Sequence, residues 1–244
     1  DWYSDGLTLA EGIDQFPVGA RVGALKKPFR LSVTDVYKSS TLCNAVVVAG
    51  RVQTGACVIG DKLLLQPTHL DCTVKNLSCN NTYVNAVVAG QNVEISLAGI
   101  DDILSQLKVG QMLCAQECPV PVTNEVEIKI QTFAALKTPI IKGTQLSCHH
   151  QCVEVDAVVS KLVASESAAG GTTNKTRSGS SNKAKRPRRI AKKEIGVVRI
   201  KFPHKICIEK YDNNKQLGRL VLRQNGVTVA SGMVLGTKRK KKRT

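Results

Sequence analysis

Residues 125–131, Glu-Val-Glu-Ile-Lys-Ile-Gln, alternate polar and apolar side chains without a break. A strand repeats every two residues, so Val126, Ile128 and Ile130 face one way and Glu125, Glu127 and Lys129 the other. That period suits a half-buried β-strand and no helix. Similar patterns cover Phe29–Tyr37, Cys43–Val52, Lys62–Gln66, Val93–Leu97, Val153–Val163, Ile195–Lys201 and Lys205–Glu209. Near the end, Leu220–Arg223 and Val227–Ala230 flank Asn225-Gly226, a pair that supplies the positive φ values of a type I′ hairpin turn. Only Leu9–Phe16 reads as a short helix. Many short strands separated by turn residues predict an all-β sandwich or barrel.

The chain has 244 residues, enough for one large domain or two ordinary ones. Aromatic residues are 4% of it, so the core must be built from Val, Ile, Leu and Ala. The two prolines of Glu117-Cys-Pro-Val-Pro121 interrupt the strand pattern and predict a boundary. The expected organisation is a lead-in segment over 1–26, a first unit over 27–116, a second over 117–236 and a tail over 237–244. A start at Asp1 rather than Met predicts a fragment or a processed product.

The formal charge is +16, and its distribution says more than its size. Lys183, Lys185, Arg186, Arg188, Arg189, Lys192 and Lys193 form one basic run; Lys238, Arg239, Lys240, Lys241, Lys242 and Arg243 form another. Removing these thirteen cations leaves 16 − 13 = +3 for the rest of the chain. Residues 165–189 are rich in Gly, Ser, Thr, Asn and Lys, so a disordered basic loop is expected over 165–193. Clustered Lys and Arg neutralise phosphates and release counterions, which makes both runs candidate RNA- or ribosome-binding segments with steep salt dependence. They lack interleaved aromatics, so the expected contacts are to phosphates rather than to stacked bases. Nuclear import and simple solubilisation are the competing readings.

Chemistry is sparse. Gly55-Ala-Cys-Val-Ile-Gly60 has the glycine spacing of a phosphate-binding P-loop, but Asp61 follows where the lysine is needed. The next residues, Lys-Leu-Leu-Leu-Gln-Pro, read as a strand rather than a helix, so no nucleotide site is expected there. The four histidines have no nucleophile motif beside them, and Asp101-Asp102 reads as a turn. Neither a catalytic centre nor a cofactor site is expected. Cys114/Cys118 and Cys148-His149-His150-x-Cys152 have metal-ligating residue types. On a straight strand, however, Cys148, His150 and Cys152 would spread over about 13 Å, too far for one ion, so no metal is expected. Nine cysteines without a disulfide framework predict reduced thiols in the cytosol or nucleus. No apolar run is long enough to span a membrane.

The glycines carry a resemblance. Asp35-Val-Tyr-Lys38, Ala49-Gly50-Arg51-Val52-x-Thr54-Gly55, Ile59-Gly60-Asp61 and Pro67 are similar to the second domain of the translational GTPases. Gly218-Arg219-Leu-Val-Leu-Arg223-x-x-Gly226-x-Thr-Val-Ala-x-Gly232 resembles the closing hairpin of their third domain. The likeness covers residues 1–236, and it departs from the family pattern at Ser39–Asn44 and in the long 165–189 loop. It implies two consecutive six-stranded antiparallel β-barrels of the elongation-factor domain II and domain III type. In the family these follow a GTPase domain that binds GTP and Mg, absent from this chain. Asp1-Trp2-Tyr3, Leu9-x-x-x-Ile13-Asp14-x-Phe16 and Lys27-Pro28-Phe29-Arg30-Leu31 are most similar to the Hbs-like ribosome-rescue branch. That branch implies a cytoplasmic, monomeric factor whose partners are a Pelota-like tRNA-mimicking protein and the small ribosomal subunit. The GTP-binding subunit of the release factor and elongation factor 1-alpha are the alternatives within the family, and a stand-alone basic RNA-binding barrel the alternative outside it. Arg219 and Arg223, four residues apart on one strand, are the candidate partner-binding residues, since a guanidinium suits carboxylate or phosphate.

Overall fold

A computed structural model describes residues 6–16, 22–39, 45–98, 107–167 and 187–237. Two closed antiparallel barrels follow one another along the chain. The first uses β1 (Arg30–Ser39), β2 (Ala45–Thr54), β3 (Ala56–Val58), β4 (Lys62–Gln66), β5 (Leu70–Cys79), β6 (Thr82–Val84), β7 (Ala86–Val88), β8 (Asn92–Ala98) and β9 (Met112–Ala115). Six of these close in the order β4-β9-β1-β2-β8-β5, the ring being completed by β4–β5 pairing. β6 extends β5, and β3 pairs with β7 as a separate ribbon. Val93, Ile95 and Leu97 of β8 are all buried, as the alternation predicts, and pack with Leu31, Val33, Val48, Leu63 and Leu65.

The second barrel uses β10 (Val122–Thr132), β11 (Gln145–His150), β12 (Val153–Ser167), β13 (Glu194–Cys207), β14 (Arg219–Gln224) and β15 (Val227–Thr237), closed in the order β10-β13-β12-β11-β14-β15. Its core is aliphatic: Val126, Ile128, Ile130, Val159, Val198, Ile200, Leu222 and Val234 pack around Phe202. Asn225 and Gly226 have φ of 49° and 78°, the doubly positive conformation of a two-residue hairpin turn.

Two short helices precede the barrels, α1 (Leu9–Asp14) and α2 (Val22–Leu25). α1 starts at a capping box: the Thr8 hydroxyl accepts from Glu11 N, and the Glu11 carboxylate accepts from Thr8 N.

Two expectations need correction. Ile195–Lys201 and Lys205–Glu209 are not separate strands, because β13 runs continuously to Cys207. Its pairing with β10 is interrupted after Lys201 and resumes at Ile206. Pro203 sits in the interruption, where its lack of an N–H costs no ladder bond. The disordered loop expected over 165–193 fits neither of its described ends. β12 continues to Ser167, and Ile190 pairs with Ile140 across the barrel end. Residues 168–186 and 238–244 lie outside the described residues.

A buried ion pair fastens the barrels to each other. Arg30 of β1 places Nε 2.9 Å from Oε1 of Glu209, which follows β13, and both side chains are almost fully buried. Arg30 also donates to the Phe29 carbonyl and lies 3.6 Å from the Cys118 Sγ. Burial opposes the charged guanidinium, but the charge and hydrogen bond of Glu209, with the Cys118 thiol, outweigh that penalty and raise its pKa. Around the pair, Met112, Cys114, Val120, Cys207 and Leu217 form a third apolar cluster shared by both barrels. Lys27 reaches the Asn213 carbonyl, and Gln53 donates to Gln151 at 3.2 Å, so polar contacts frame this seam.

Candidate functional site

The glycine-spaced stretch of the first barrel is a strand and a turn. Gly55 (φ 79°) lies so close to the backbone of Phe29 that a Cβ would sit 2.6 Å from its Cα. The side chain of Asp61 accepts from Val58 N at 2.9 Å and closes the turn after β3. The residue at the position of a P-loop lysine is thus a carboxylate engaged in the turn itself.

Strand direction sorts the second barrel into two ends. The seam gathers the β11–β12 turn and the connection from β13 to β14. The opposite end gathers the 133–144 connection, the segment before β13 and the Asn225-Gly226 turn. Residues 187–193 are held against this far end. Ile190 is fully buried, and its backbone exchanges two 2.9 Å hydrogen bonds with Ile140. The Thr132 hydroxyl lies 2.7 Å from the Ala191 carbonyl and accepts from Glu194 N at 2.9 Å. Glu194 accepts from Ala191 N at 2.8 Å. With Ile190 as the plug, Arg188, Arg189, Lys192 and Lys193 all stand exposed.

The Ile140–Ile190 bridge brings a second group of cations to the same end. Lys137 and Lys142 lie in the 133–144 connection and are exposed. Sequence reasoning missed both, because nothing local distinguishes them from ordinary surface lysines. Only the pairing of segments 50 residues apart places them there. None of the three ion pairs found among the described residues involves any of these six cations. Lys183, Lys185 and Arg186, and the tail cations Lys238 to Arg243, lie outside the described residues. The last described residue, Thr237, pairs with Val126 of β10, away from the end of the barrel that holds the 188–193 run.

Arg219 and Arg223 share the outer face of β14, as their spacing predicts, but they do different things. Arg219 stacks its guanidinium 5.4 Å from the centroid of the Tyr211 ring and donates to the phenol oxygen at 3.1 Å. That hydrogen bond lowers the Tyr211 pKa. Arg223 reaches the Gly226 carbonyl and so ties the hairpin turn to its own strand. Arg223 therefore has a local structural task, whereas the Arg219–Tyr211 pair sets an exposed cation beside a half-buried aromatic ring.

The cysteine–histidine cluster is dispersed by the fold. β11 ends at His150, and Gln151 (φ 51°) turns the chain into β12, so Cys152 is exposed at a turn rather than in line with Cys148. Cys148 points into the core, where burial pushes its thiol up to about 12. His150 is buried and donates from Nε2 to the Leu217 carbonyl at 2.8 Å; burial lowers its pKa, and the Leu217 bond offsets that only in part. Among the described residues, no group of three or more His, Cys, Asp or Glu could hold a metal ion. Asp101 and Asp102 lie outside the described residues.

Comparison with known proteins points in one direction. Residues 125–235 match the family model described as "GTP-eEF1A C-terminal domain-like". Protein HBS1 of Drosophila melanogaster is 34% identical over 234 residues, which is 96% of this chain and 32% of that protein. Elongation factor 1-alpha of Desulfurococcus mucosus is 28% identical over 237 residues, covering 97% of this chain and 50% of the relative. A crystal structure of Sup35 complexed with GDP superposes with a TM-score of 0.74 at 21% identity, over 98% of this chain and 53% of that one, and so shares the fold. The chain thus spans only a third to a half of the curated relatives it matches.

Proposed function

We propose that the chain, whose second barrel matches the family model described as "GTP-eEF1A C-terminal domain-like" and which is similar along both barrels to Protein HBS1, is the cargo- and ribosome-binding part of a translational GTPase, in the Hbs-like branch that works with a Pelota-like partner. The observation that carries the branch is the 34% identity to Protein HBS1 across both barrels, against 28% for elongation factor 1-alpha. In this reading a GTPase domain elsewhere in the parent protein binds GTP and Mg and supplies the energy, while these residues position molecules. The parent acts in the cytoplasm, in ribosome rescue and mRNA surveillance, as a monomer. Among the described residues, no helix is long and apolar enough to cross a membrane.

The geometry supports a division of labour within this reading. The Arg30–Glu209 pair and its apolar surround couple the barrels, so a partner held on one is placed relative to the other. The Arg219–Tyr211 face binds the tRNA-like protein, with Arg223 shaping the hairpin beside it. Lys137, Lys142 and the 188–193 cations meet ribosomal RNA phosphates, joined by Lys183, Lys185, Arg186 and the tail. Such contacts are sequence-independent and weaken steeply with salt.

A side-by-side pull-down with Pelota and with the codon-reading subunit of the release factor tests the branch. Retention of Pelota in preference to the release-factor subunit is expected. The reverse preference would place the chain with the release factor's GTP-binding subunit, and retention of neither would remove the cargo role.

A further inference from the structure

A cleft of about 150 Å³ lies between the two barrels, and neither barrel could form it alone. Pro67 and Lys108 to Gln111 make the wall of the first barrel; Val153 and His204 to Cys207 make the wall of the second. The walls meet at Gly110, whose φ is 87° and where a Cβ would stand 2.1 Å from the Val153 methyl carbon. Only glycine permits that approach, so the cleft depends on this close packing. The Gln111 side chain accepts from Lys108 N at 3.0 Å and fixes the turn that carries Lys108.

The lining has two characters. Val109, Val153, Ile206 and Pro67 are apolar. Lys108, Lys205 and His204 are exposed and basic or titratable, and no carboxylate is among the described lining residues. Neither lysine takes part in an ion pair found among the described residues. Two cations beside an aliphatic floor complement an anion carried on an apolar stem. An RNA backbone would leave the aliphatic floor unused, and the described lining offers no Phe, Tyr or Trp ring, only the His204 imidazole, for a base to stack on.

We propose that this inter-barrel cleft is a docking site for an acidic, apolar-flanked segment of a partner protein. A carboxylate of that segment is drawn to Lys108 and Lys205, and a neighbouring aliphatic side chain covers Val109, Val153 and Ile206. The mode combines charge complementarity for orientation with a small apolar contact for affinity. The site is separate from the basic far end and from the Arg219–Tyr211 face, so it stands or falls independently of the function proposed above.

Amide NMR shifts of the full 244-residue chain test this, with acetyl-Leu-Glu-Leu-Glu-amide as the probe. The expected result is saturable shifts at Gly110, Val153 and Ile206, lost in Lys108→Glu/Lys205→Glu and weakened about tenfold with acetyl-Leu-Gln-Leu-Gln-amide. Both lysines are exposed, so the variant should keep its melting transition; Lys108→Gln/Lys205→Gln provides a milder check with the same expected loss. No shift at these amides up to about 10 mM peptide, beyond the millimolar range expected for so small a contact, would overturn the proposal. Equal shifts with the glutamine peptide, or with an oligouridylate, would overturn it as well.

Discussion

The two ends of the second barrel handle charge in opposite ways. At the seam, Arg30 and Glu209 are buried and paired, and their hydrogen bonds stay inside the protein. At the far end, Lys137, Lys142, Arg188, Arg189, Lys192 and Lys193 are exposed, and no described ion pair includes them. A buried charge must keep its partner, because losing it leaves an ion without water. An exposed cation is hydrated already and remains available to something that arrives later. The comparison therefore separates charge used to hold the molecule together from charge offered to other molecules.

The strongest way to break this contrast is at the seam. Arg30→Met or Glu209→Gln alone should cost about 3–5 kcal/mol in chemical denaturation, since either leaves an uncompensated buried polar group. Replacing both with apolar residues should recover much of that loss. A single substitution with no effect would mean that the pair is solvated and the seam looser than described.

At the far end the apolar plug should matter more than the cations around it. Ile190→Ala should destabilise by about 2–5 kcal/mol, because a fully buried side chain is removed from a packed site. The same variant should weaken RNA binding if the plug is what holds the cations in place. Loss of stability without loss of RNA binding would show that the cations act as a flexible run.

His150 sharpens the seam side of the comparison through pH. Its folded pKa is depressed by burial, so the unfolded chain takes up a proton near pH 6.5 that the folded chain refuses. The stability from keeping it neutral is present above that pH. It is lost as pH falls toward the lower folded value, at up to about 1.4 kcal/mol per pH unit. His150→Gln, which can still donate to the Leu217 carbonyl, should flatten that part of the stability profile. An unchanged profile would contradict the burial of this ring.

The smallest effect on stability is expected from the exposed cations themselves. Changing Arg188, Arg189, Lys192 and Lys193 together to Glu should cost under about 0.5 kcal/mol per site. The slope of log affinity against log salt for ribosomal RNA should fall by about 3. A large loss of stability, or an unchanged slope, would erase the distinction between the two ends.

Much of the fold was legible where one face of a strand is buried and the other wet. Val126, Ile128 and Ile130 announced β10, and Lys62–Gln66 marked β4 to the residue. β3, β6 and β7 were not legible, because three residues are too few to show a period. β5 escaped because Asp71, Lys75 and Asn76 break up its apolar positions, and pairing with β4 and β8 supplies what local sequence does not. The candidate functional residues divide similarly. The 188–193 cations could be read from the chain, while the anchoring of Ile190 against Ile140 and the Arg30–Glu209 pair could not, since both depend on contacts between distant segments.

The account rests on these barrels holding a partner without doing chemistry themselves. The most direct test is calorimetric titration of the 244-residue chain with Pelota in the absence of guanine nucleotide. Binding should be measurable, should weaken with Arg219→Glu, and should be unaffected by charge reversal at Arg188, Arg189, Lys192 and Lys193. Binding that required nucleotide, or that disappeared when the far-end cations were reversed while Arg219→Glu had no effect, would contradict it.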